Sequence, residues 1–433
     1  MEQDAEEILS PLLSRQQIQN QFERLEKVVD EAKKRIDYTI AHDEDILKAI
    51  EVVERFLRKK KRVCYGGQAI NSLLPKKRQF YDMSYMIPDY DFFTPDASGD
   101  VNDLLEILKK EGFEDISKKV GVHDGTIKVY VNYIPVADCS EIHPKLFTIL
   151  QKRAKDVDGI LFADPDFLRM MMYLELSRPR GEVDRWKKVY ERLTLLNHEF
   201  PIGTCSEQIK TLDEPSEKER EILLKFCIRN KRVFVGPDVI LFFEKELHQK
   251  QLGFEEFLRF GGPVLALSSQ ARIDGEDIQD ILGTRGIQVE VVEAMTDGFF
   301  DCVQVRKGKK PLALFFQESA CHSYSPVKLR DGTECRFGTP DLLLHMYYAL
   351  IIAGKKEKEF FETNLNCLVQ KLHAIQEKGR NHPSAVLPAF GLRCSGHQKG
   401  LATLLKEKAE RTEKIKKTQA GGRRKGRKTR RAN

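Results

Sequence analysis

The sequence predicts an α/β chain, α+β in its layering, with mixed sheets and flanking helices, built twice on one plan with a degenerate second copy. Short apolar runs end in glycine turns and lead into amphipathic segments, as in strand–turn–helix units. Period-two runs such as Ile127, Val129 and Val131 interleave with three- and four-residue periodicities. The second half then repeats the first. KRVCYGGQAI at 61–70 lines up with KRVFVGPDVI at 231–240, and FADPDFLRMMMY at 162–173 with FGTPDLLLHMYY at 337–348. In the second pair Phe162, Pro165, Asp166, Leu168, Met171 and Tyr173 recur as Phe337, Pro340, Asp341, Leu343, Met346 and Tyr348, an offset of 175. The Asp-Gly turn at 124–125 has a counterpart at 297–298. Chance similarity of two strand–turn–helix units is the competing explanation.

The elements follow in order. Residues 14–40 read as a helix, because Ile18, Phe22, Leu25, Val28, Val29, Ala32 and Ile36 form one apolar stripe. A second helix is predicted from Asp45 to about Lys59, with Ile46, Ile50, Val53 and Leu57 on one face. Arg62 to Tyr65 is a short strand, Gly66-Gly67 a tight turn, and Ala69 to Leu74 the next helix. Tyr85–Phe93, rich in Tyr, Phe and Ile, has a strand at its core, and 101–111 a helix. His123-Asp124-Gly125 is a turn before the strand Thr126–Asp138. Pro165 to about Asn197 is helical with a break at Pro179-Arg180-Gly181.

Composition narrows the class. With 41% hydrophobic and 32% charged residues, the 433-residue chain is neither disordered nor fibrous. No run approaches the ~18 apolar residues of a membrane span, and the acidic start MEQDAEEILS is read as neither signal nor transit peptide. The nine cysteines are odd in number and never spaced CxxC, so free thiols in a reducing, intracellular compartment are expected. Ten of the 72 basic residues lie in 414–433, which has no acid; this leaves 62 against 66 acidic residues, a slightly acidic body at −4. Such a single-signed block binds polyanions.

The candidate chemistry lies in the first copy. Glycines between strand and helix let backbone N–H groups approach a phosphate at the positive end of a helix, which makes Gly66 and Gly67 candidates; a plain tight turn is the alternative. In Pro88-Asp89-Tyr90-Asp91-Phe92-Phe93, Asp89 and Asp91 share one face of a strand. Two adjacent carboxylates are unfavourable unless a cation neutralises them, and hard oxygen ligands suit Mg²⁺. Asp138, after Tyr133-Ile134-Pro135-Val136-Ala137, would complete a two-metal site for in-line displacement at phosphorus; Glu141 competes for the role.

Glycine pair, Asp-x-Asp on a strand, then a distant third Asp resembles the nucleotidyltransferase superfamily of DNA polymerase β. The spacing from Gly67 to Asp89 is wider than that superfamily's, with Pro75-Lys76-Lys77-Arg78-Gln79-Phe80-Tyr81 as an insertion. More narrowly, YGGQAINSLLP, IPDYDFFTPD, VADCSEI and ILFADPDFLRMMMYLELSRPRGEVDRWKKVYERLTLLN resemble the poly(A) polymerase catalytic subunits of large cytoplasmic DNA viruses, over about residues 60–200. The resemblance implies a nucleotidyltransferase fold and template-independent addition of AMP from ATP to an RNA 3′ end, with Mg²⁺ or Mn²⁺ at a two-metal site. Carried over, Gly66 and Gly67 face the triphosphate, Asn71 contacts a phosphate or the sugar, Asp89 and Asp91 ligate both metals, and Asp138 positions or deprotonates the 3′-hydroxyl. On the helices closing over the nucleotide, Ser177 and Lys188 are expected near the phosphates, with Tyr173 and Arg178 as further contacts. Trp186 is expected to pack in the core rather than stack on a base. The alternatives are a CCA-adding, uridylyl- or oligoadenylate-type enzyme, or a non-catalytic RNA-binding protein of this fold.

At the offset of 175, Asp89, Asp91 and Asp138 fall on Val264, Ala266 and Ala313, none able to ligate a metal, and in the pairing of 61–70 with 231–240 the second glycine becomes Pro237. The expected organisation is a helical segment 1–60, a catalytic domain 61–200, a degenerate copy 201–390, and a segment 391–433 whose basic end, with Arg423, Arg424, Lys425, Arg427, Lys428, Arg430 and Arg431, binds RNA phosphates. A nuclear localisation signal and a solubilising tail have the same composition. By resemblance, the protein partner is a second copy of the chain or a viral processivity subunit, there is no membrane partner, and the compartment is the host cytoplasm, with packaging in the virion as an alternative.

Overall fold

A computed structural model describes residues 15–414 except 83, 213–214, 248–250, 296–297 and 355–363. The first half contains α1 (Arg15–Ala41), α2 (Glu44–Lys60), β1 (Val63–Tyr65), α3 (Gly66–Leu73), β2 (Tyr90–Thr94), α4 (Ala97–Lys110), β3 (Ile116–Val120), β4 (Thr126–Val131), β5 (Ile134–Glu141), α5 (Pro144–Arg153), β6 (Lys155–Val157), β7 (Ile160–Phe162), α6 (Pro165–Leu176) and α7 (Trp186–Glu199). The second contains α8 (Glu217–Arg229), β8 (Val233–Phe234), α9 (Pro237–Glu246), α10 (Phe254–Leu258), β9 (Val264–Ser268), α11 (Ala271–Gly283), β10 (Glu290–Met295), β11 (Asp301–Lys307), β12 (Lys310–Gln317), β13 (His322–Lys328), β14 (Glu334–Gly338), α12 (Pro340–Ile352), α13 (Leu365–Asn381) and β15 (Cys394–Ser395).

The strands form two mixed sheets of the same design. The first runs β3-β4-β5-β2-β1-β7-β6, and the second β10-β11-β12-β9-β8-β14-β13 with β15 added at its edge. Each has two parallel pairs in equivalent places among antiparallel ones: β2 with β5 and β9 with β12, β1 with β7 and β8 with β14. This topology carries the duplication that the sequence repeats suggest. It also corrects the alignment. Asp91 lies opposite Tyr65 on one side and Asp138 on the other. Leu265 holds that place in the second sheet, bonded to Val235 and opposite Leu314. Asp89, Asp91 and Asp138 therefore map to Pro263, Leu265 and Leu314, not to Val264, Ala266 and Ala313. A small change of loop length on either side of β9 moves the register, and the second copy still has no carboxylate there.

Several boundaries differ from those the sequence suggests. Tyr85–Asp89 is not strand: Pro88 has no N–H to give, and β2 begins at Tyr90. The expected strand 126–138 is a hairpin turning at Asn132 and Tyr133, whose φ values are 48° and 66°. Asp138 therefore stands inside β5 rather than ending a strand. Helix α2 buries Ile46, Ile50, Val53, Phe56 and Leu57 against the first sheet, so it belongs to that unit rather than to a separate 1–60 segment. By contrast, Phe22, Leu25, Val28 and Ile36 on α1 remain exposed. Two cysteine pairs, Cys205 with Cys367 and Cys321 with Cys394, correct the expectation of free thiols throughout; Cys64, Cys139, Cys227, Cys302 and Cys335 are free and buried.

The two units meet through equivalent helices, α6 on α12. Tyr173 and its counterpart Tyr348 lie with ring centroids 6.2 Å apart at 8°, and His373 bonds both hydroxyls. His345 bonds the Met170 carbonyl at 3.1 Å. Burial, first, and the Arg178 charge hold the His345 pKa down to about 4, against the helping carbonyl. A neutral imidazole in the fold and a basic one in the unfolded chain make stability fall as pH drops from about 6.5 towards 4. Between pH 7 and pH 4 the native chain should lose about 3 kcal/mol more than His345→Asn. Urea unfolding at pH 7, 5.5 and 4.5 measures this, and parallel curves for the two proteins would refute it.

Candidate active site

The alternation of β2 divides its side chains by chemistry. Tyr90 and Phe92 point into the core, where Tyr90 donates to Glu54 of α2 at 2.8 Å and Phe92 packs on Phe56. Asp91 therefore faces the other side, and Asp89 stands just before the strand, its carbonyl accepting the Asp91 N–H at 3.2 Å. The parallel register of β2 on β5 sets Asp138 directly beside Asp91. Three carboxylates thus meet at β2, the residue before it and β5, Asp138 only 9% exposed, Asp91 half-buried and Asp89 at the open lip.

The electrostatics are those of an incompletely neutralised acid cluster. Burial, followed by the charges of Asp89 and Asp138, pushes the Asp91 pKa up to about 7. Asp89 is open to solvent on one side, yet its protein surroundings, then Asp138, hold it above the usual carboxylate range. Lys128 of β4 pairs with Asp138 Oδ2, while Asp138 Oδ1 is buried with no hydrogen-bond partner among the described residues. An orphaned carboxylate oxygen beside two further acids fits a divalent cation with hard oxygen ligands.

The glycine turn is part of the same site. Gly66 has φ +74°, and a Cβ there would lie 2.7 Å from Asp91 Oδ2. Both the backbone conformation and the close approach require glycine. Gly67 opens helix α3 beside Tyr81 and Arg192. Across the cleft, Arg185, Lys188 and Arg192 lie three and four residues apart, one face of α7 and its entry turn. Lys188 and Arg192 act on Asp89, and Arg185 on Asp91.

The structure thus brings together Asp89, Asp91, Asp138, Gly66, Gly67 and Lys188 from the sequence expectations. It adds Lys128, Tyr81, Arg185 and Arg192. The spacing of Arg185, Lys188 and Arg192 was a readable signal for Arg192; nothing local marked Tyr81 or Lys128. Four expected nucleotide contacts lie elsewhere. Asn71 is 2% exposed, and its Oδ1 accepts the backbone N–H groups of Phe80 and Tyr81. Tyr173 is buried between the two units. Ser177 is 0% exposed, and its hydroxyl donates to the Leu174 carbonyl. Arg178 lines an interdomain cavity of about 240 Å³ with His322 and His345. Asn71 thus holds the inserted loop and Ser177 its own helix, while Tyr173 and Arg178 face the joint between the units, so the structure gives all four structural partners in place of the expected ligand contacts. Trp186 packs as expected, with Nε1 donating to the Glu175 carbonyl and the ring 5.9 Å from Phe390. The basic residues Arg423 to Arg431 lie outside the described residues.

Known proteins share this sequence segment and this fold. A family model described as the poly(A) polymerase catalytic subunit matches residues 51–182, the stretch that contains all three acids and the glycine turn. The chain is similar to the poly(A) polymerase catalytic subunits of large DNA viruses. A protein of Acanthamoeba polyphaga mimivirus named as such a subunit is 28% identical over 172 residues, 39% of this chain and 29% of the relative. One of African swine fever virus, isolate Tick/Malawi/Lil 20-1/1983, is 32% identical over 168 residues, 36% of this chain and 34% of the relative. The chain therefore spans about a third of the length of the curated poly(A) polymerase relatives it matches. The crystal structure of the Megavirus polyadenylate synthase superposes with a TM-score of 0.74 at 16% identity, covering 94% of this chain and 84% of that one. That likeness shows that the two chains share one fold across both units. Among the described residues no helix is long and apolar enough to cross a membrane.

Proposed function

We propose that the chain is a template-independent polyadenylate polymerase that transfers AMP from ATP to an RNA 3′ end. The observation carrying this is the meeting of Asp91 and Asp138 across β2 and β5, with the Gly66 turn packed on the Asp91 carboxylate. Asp89, Asp91 and Asp138 would hold Mg²⁺ or Mn²⁺, which supplies charge neutralisation at phosphorus and a more acidic attacking hydroxyl. The N–H groups of the Gly66-Gly67 turn receive the triphosphate at the start of α3. Arg185, Lys188 and Arg192 on the opposite wall balance its charge. Asp138, beside Lys128, orients the attacking hydroxyl. Little covalent work falls to the side chains, because positioning and electrostatic stabilisation dominate phosphoryl transfer.

RNA is held by the basic run 414–433 in this reading. Its starting point supports the assignment. The helix 401–414 docks on the β3–β4 turn of the first unit, where Arg411 donates to the Val122 carbonyl at 2.8 Å and lies 3.5 Å from Asp124. The basic run thus begins at the edge of the catalytic unit. A second copy of the chain or a processivity subunit completes the proposed assembly, and the host cytoplasm is its proposed site of action.

Primer extension on labelled oligo(A) RNA tests the proposal, with each NTP separately and Mg²⁺ or Mn²⁺ present. The expected result is long products with ATP alone, absent from Asp89→Ala/Asp91→Ala. Extension with another nucleotide would retain the site and change the substrate. RNA binding without extension under any condition would sink the polymerase reading.

A further inference from the structure

The insertion between the glycine turn and the acids has no role in the chemistry described so far. It leaves α3 through Pro75 and a turn of 3₁₀ helix at Lys76–Arg78, then returns to the site as Phe80 and Tyr81. Asn71 fixes that return by accepting both backbone N–H groups, at 2.9 and 3.0 Å. The result is a side chain over the glycine turn. A Cβ on Gly67 would collide with the Tyr81 hydroxyl and lie 2.8 Å from Arg192 Nη1.

Arg192 is held from two directions. Its Nη2 donates to the Tyr81 hydroxyl oxygen at 2.6 Å, and its guanidinium lies 4.8 Å from the Phe80 ring centroid and 5.4 Å from that of Tyr81. A guanidinium fixed by a hydrogen bond and two rings has lost most of its rotamer freedom before any ligand arrives. Nη1 remains directed at Gly67 and makes no hydrogen bond among the described residues. The Tyr81 oxygen accepts from Arg192, so its own hydrogen is left to donate. Burial keeps that phenol above its ordinary pKa, and hence protonated.

We infer that Tyr81 and Arg192 complete the phosphate cradle begun by Gly66 and Gly67, the insertion existing to deliver Tyr81 to it. The ligand class is a polyphosphate, the triphosphate of the nucleotide rather than its base. The inference rests on the proposed nucleotidyl transfer and goes beyond it by assigning the insertion. Asn71 is then a positioning residue acting through the loop, which accounts for its burial.

The test uses the full chain as native, Tyr81→Phe, Arg192→Ala and the double variant. Tyr81→Phe removes one oxygen and keeps the ring, so folding is preserved. At saturating RNA it should raise KM for ATP about tenfold with kcat changed less than about twofold, the value of one hydrogen bond to a charged group. Arg192→Ala should raise it about a hundredfold. The double variant should fall short of the product of the two, because Tyr81 holds Arg192. KM for RNA should not move, which a merely structural role would not ensure. Equilibrium binding of inorganic tripolyphosphate, without RNA, gives an independent readout and should weaken in parallel. If the native chain extends no primer yet binds tripolyphosphate, and Tyr81→Phe weakens that binding, the polymerase reading falls and the cradle stands. If extension is intact while Tyr81→Phe leaves both KM for ATP and tripolyphosphate binding unchanged, the cradle is overturned alone.

Discussion

Asp91→Asn is expected to remove nucleotidyl transfer and, in the same molecule, to stabilise the metal-free fold. The two effects have one cause. Asp91 sits half-buried with Asp89 and Asp138 beside it, and its pKa stands at about 7. A carboxyl whose folded pKa lies above its unfolded value favours folding less as it ionises. The cost of that charge is absent below about pH 4, grows through pH 7 and is constant above it. At pH 8 in EDTA, asparagine should therefore raise stability by about 2–4 kcal/mol, because a rise of three pKa units corresponds to about 4 kcal/mol at most. Added Mg²⁺ should narrow the difference by binding the native carboxylate and not the amide. Activity should fall by about 10³-fold or more, as expected when a group that organises transition-state charge is lost. Urea unfolding at pH 8 with and without Mg²⁺, beside primer extension, covers both arms. A variant that is less stable than native in EDTA would refute the account of the site as an unneutralised acid cluster.

Arg220→Ala should produce the other large effect, this time on stability alone. Arg220 of α8 is 1% exposed, and each nitrogen of its guanidinium has a partner within the second unit. It donates to Asp238 at 2.8 Å and to the carbonyls of Leu258 at 3.0 Å and Gly262 at 2.6 Å. Gly261 and Gly262, at φ 70° and 75°, form the turn that enters β9. One side chain thus ties α8, α9 and that turn together. Removing it strands the Asp238 carboxylate, itself 1% exposed, and should cost about 3–5 kcal/mol. Asp238→Ala should cost a similar amount, whereas Arg220→Met with Asp238→Leu should recover most of the loss, because no buried charge is left unpaired. Urea unfolding of the three variants decides it. A loss below about 1 kcal/mol for both single variants would show that the pair is not desolvated as its burial implies.

The acid site was legible because its logic is local. The Asp-x-Asp spacing at the start of a strand keeps Asp89 and Asp91 near one another whatever the rest of the chain does, and the apolar partners Tyr90 and Phe92 fix which face of β2 is buried. The expectations failed where polar residues on helices could face either a ligand or the other half of the molecule. Tyr173 is the clear case. It recurs as Tyr348 in a copy that has none of the three acids, and a residue present in both copies serves what both copies share. That is their packing on each other. The repeat therefore contained the correction.

The sequence by itself determined the duplicated strand–turn–helix plan, the glycine turn, the three acids of the first copy and their absence from the second. All of these follow from spacing within one element or from comparison of the two halves. Only the tertiary structure decided that Leu265 and Leu314 hold the places of Asp91 and Asp138, since register depends on loop lengths that a fixed offset ignores. It alone brought Lys128, Tyr81 and Arg192 to the acids, from a neighbouring strand, an inserted loop and a distant helix. It also turned Tyr173, Ser177 and Arg178 inward to the joint between the units. The physical reason is that a side chain's role is set by what desolvates and faces it, and for these residues the partners come from remote parts of the chain.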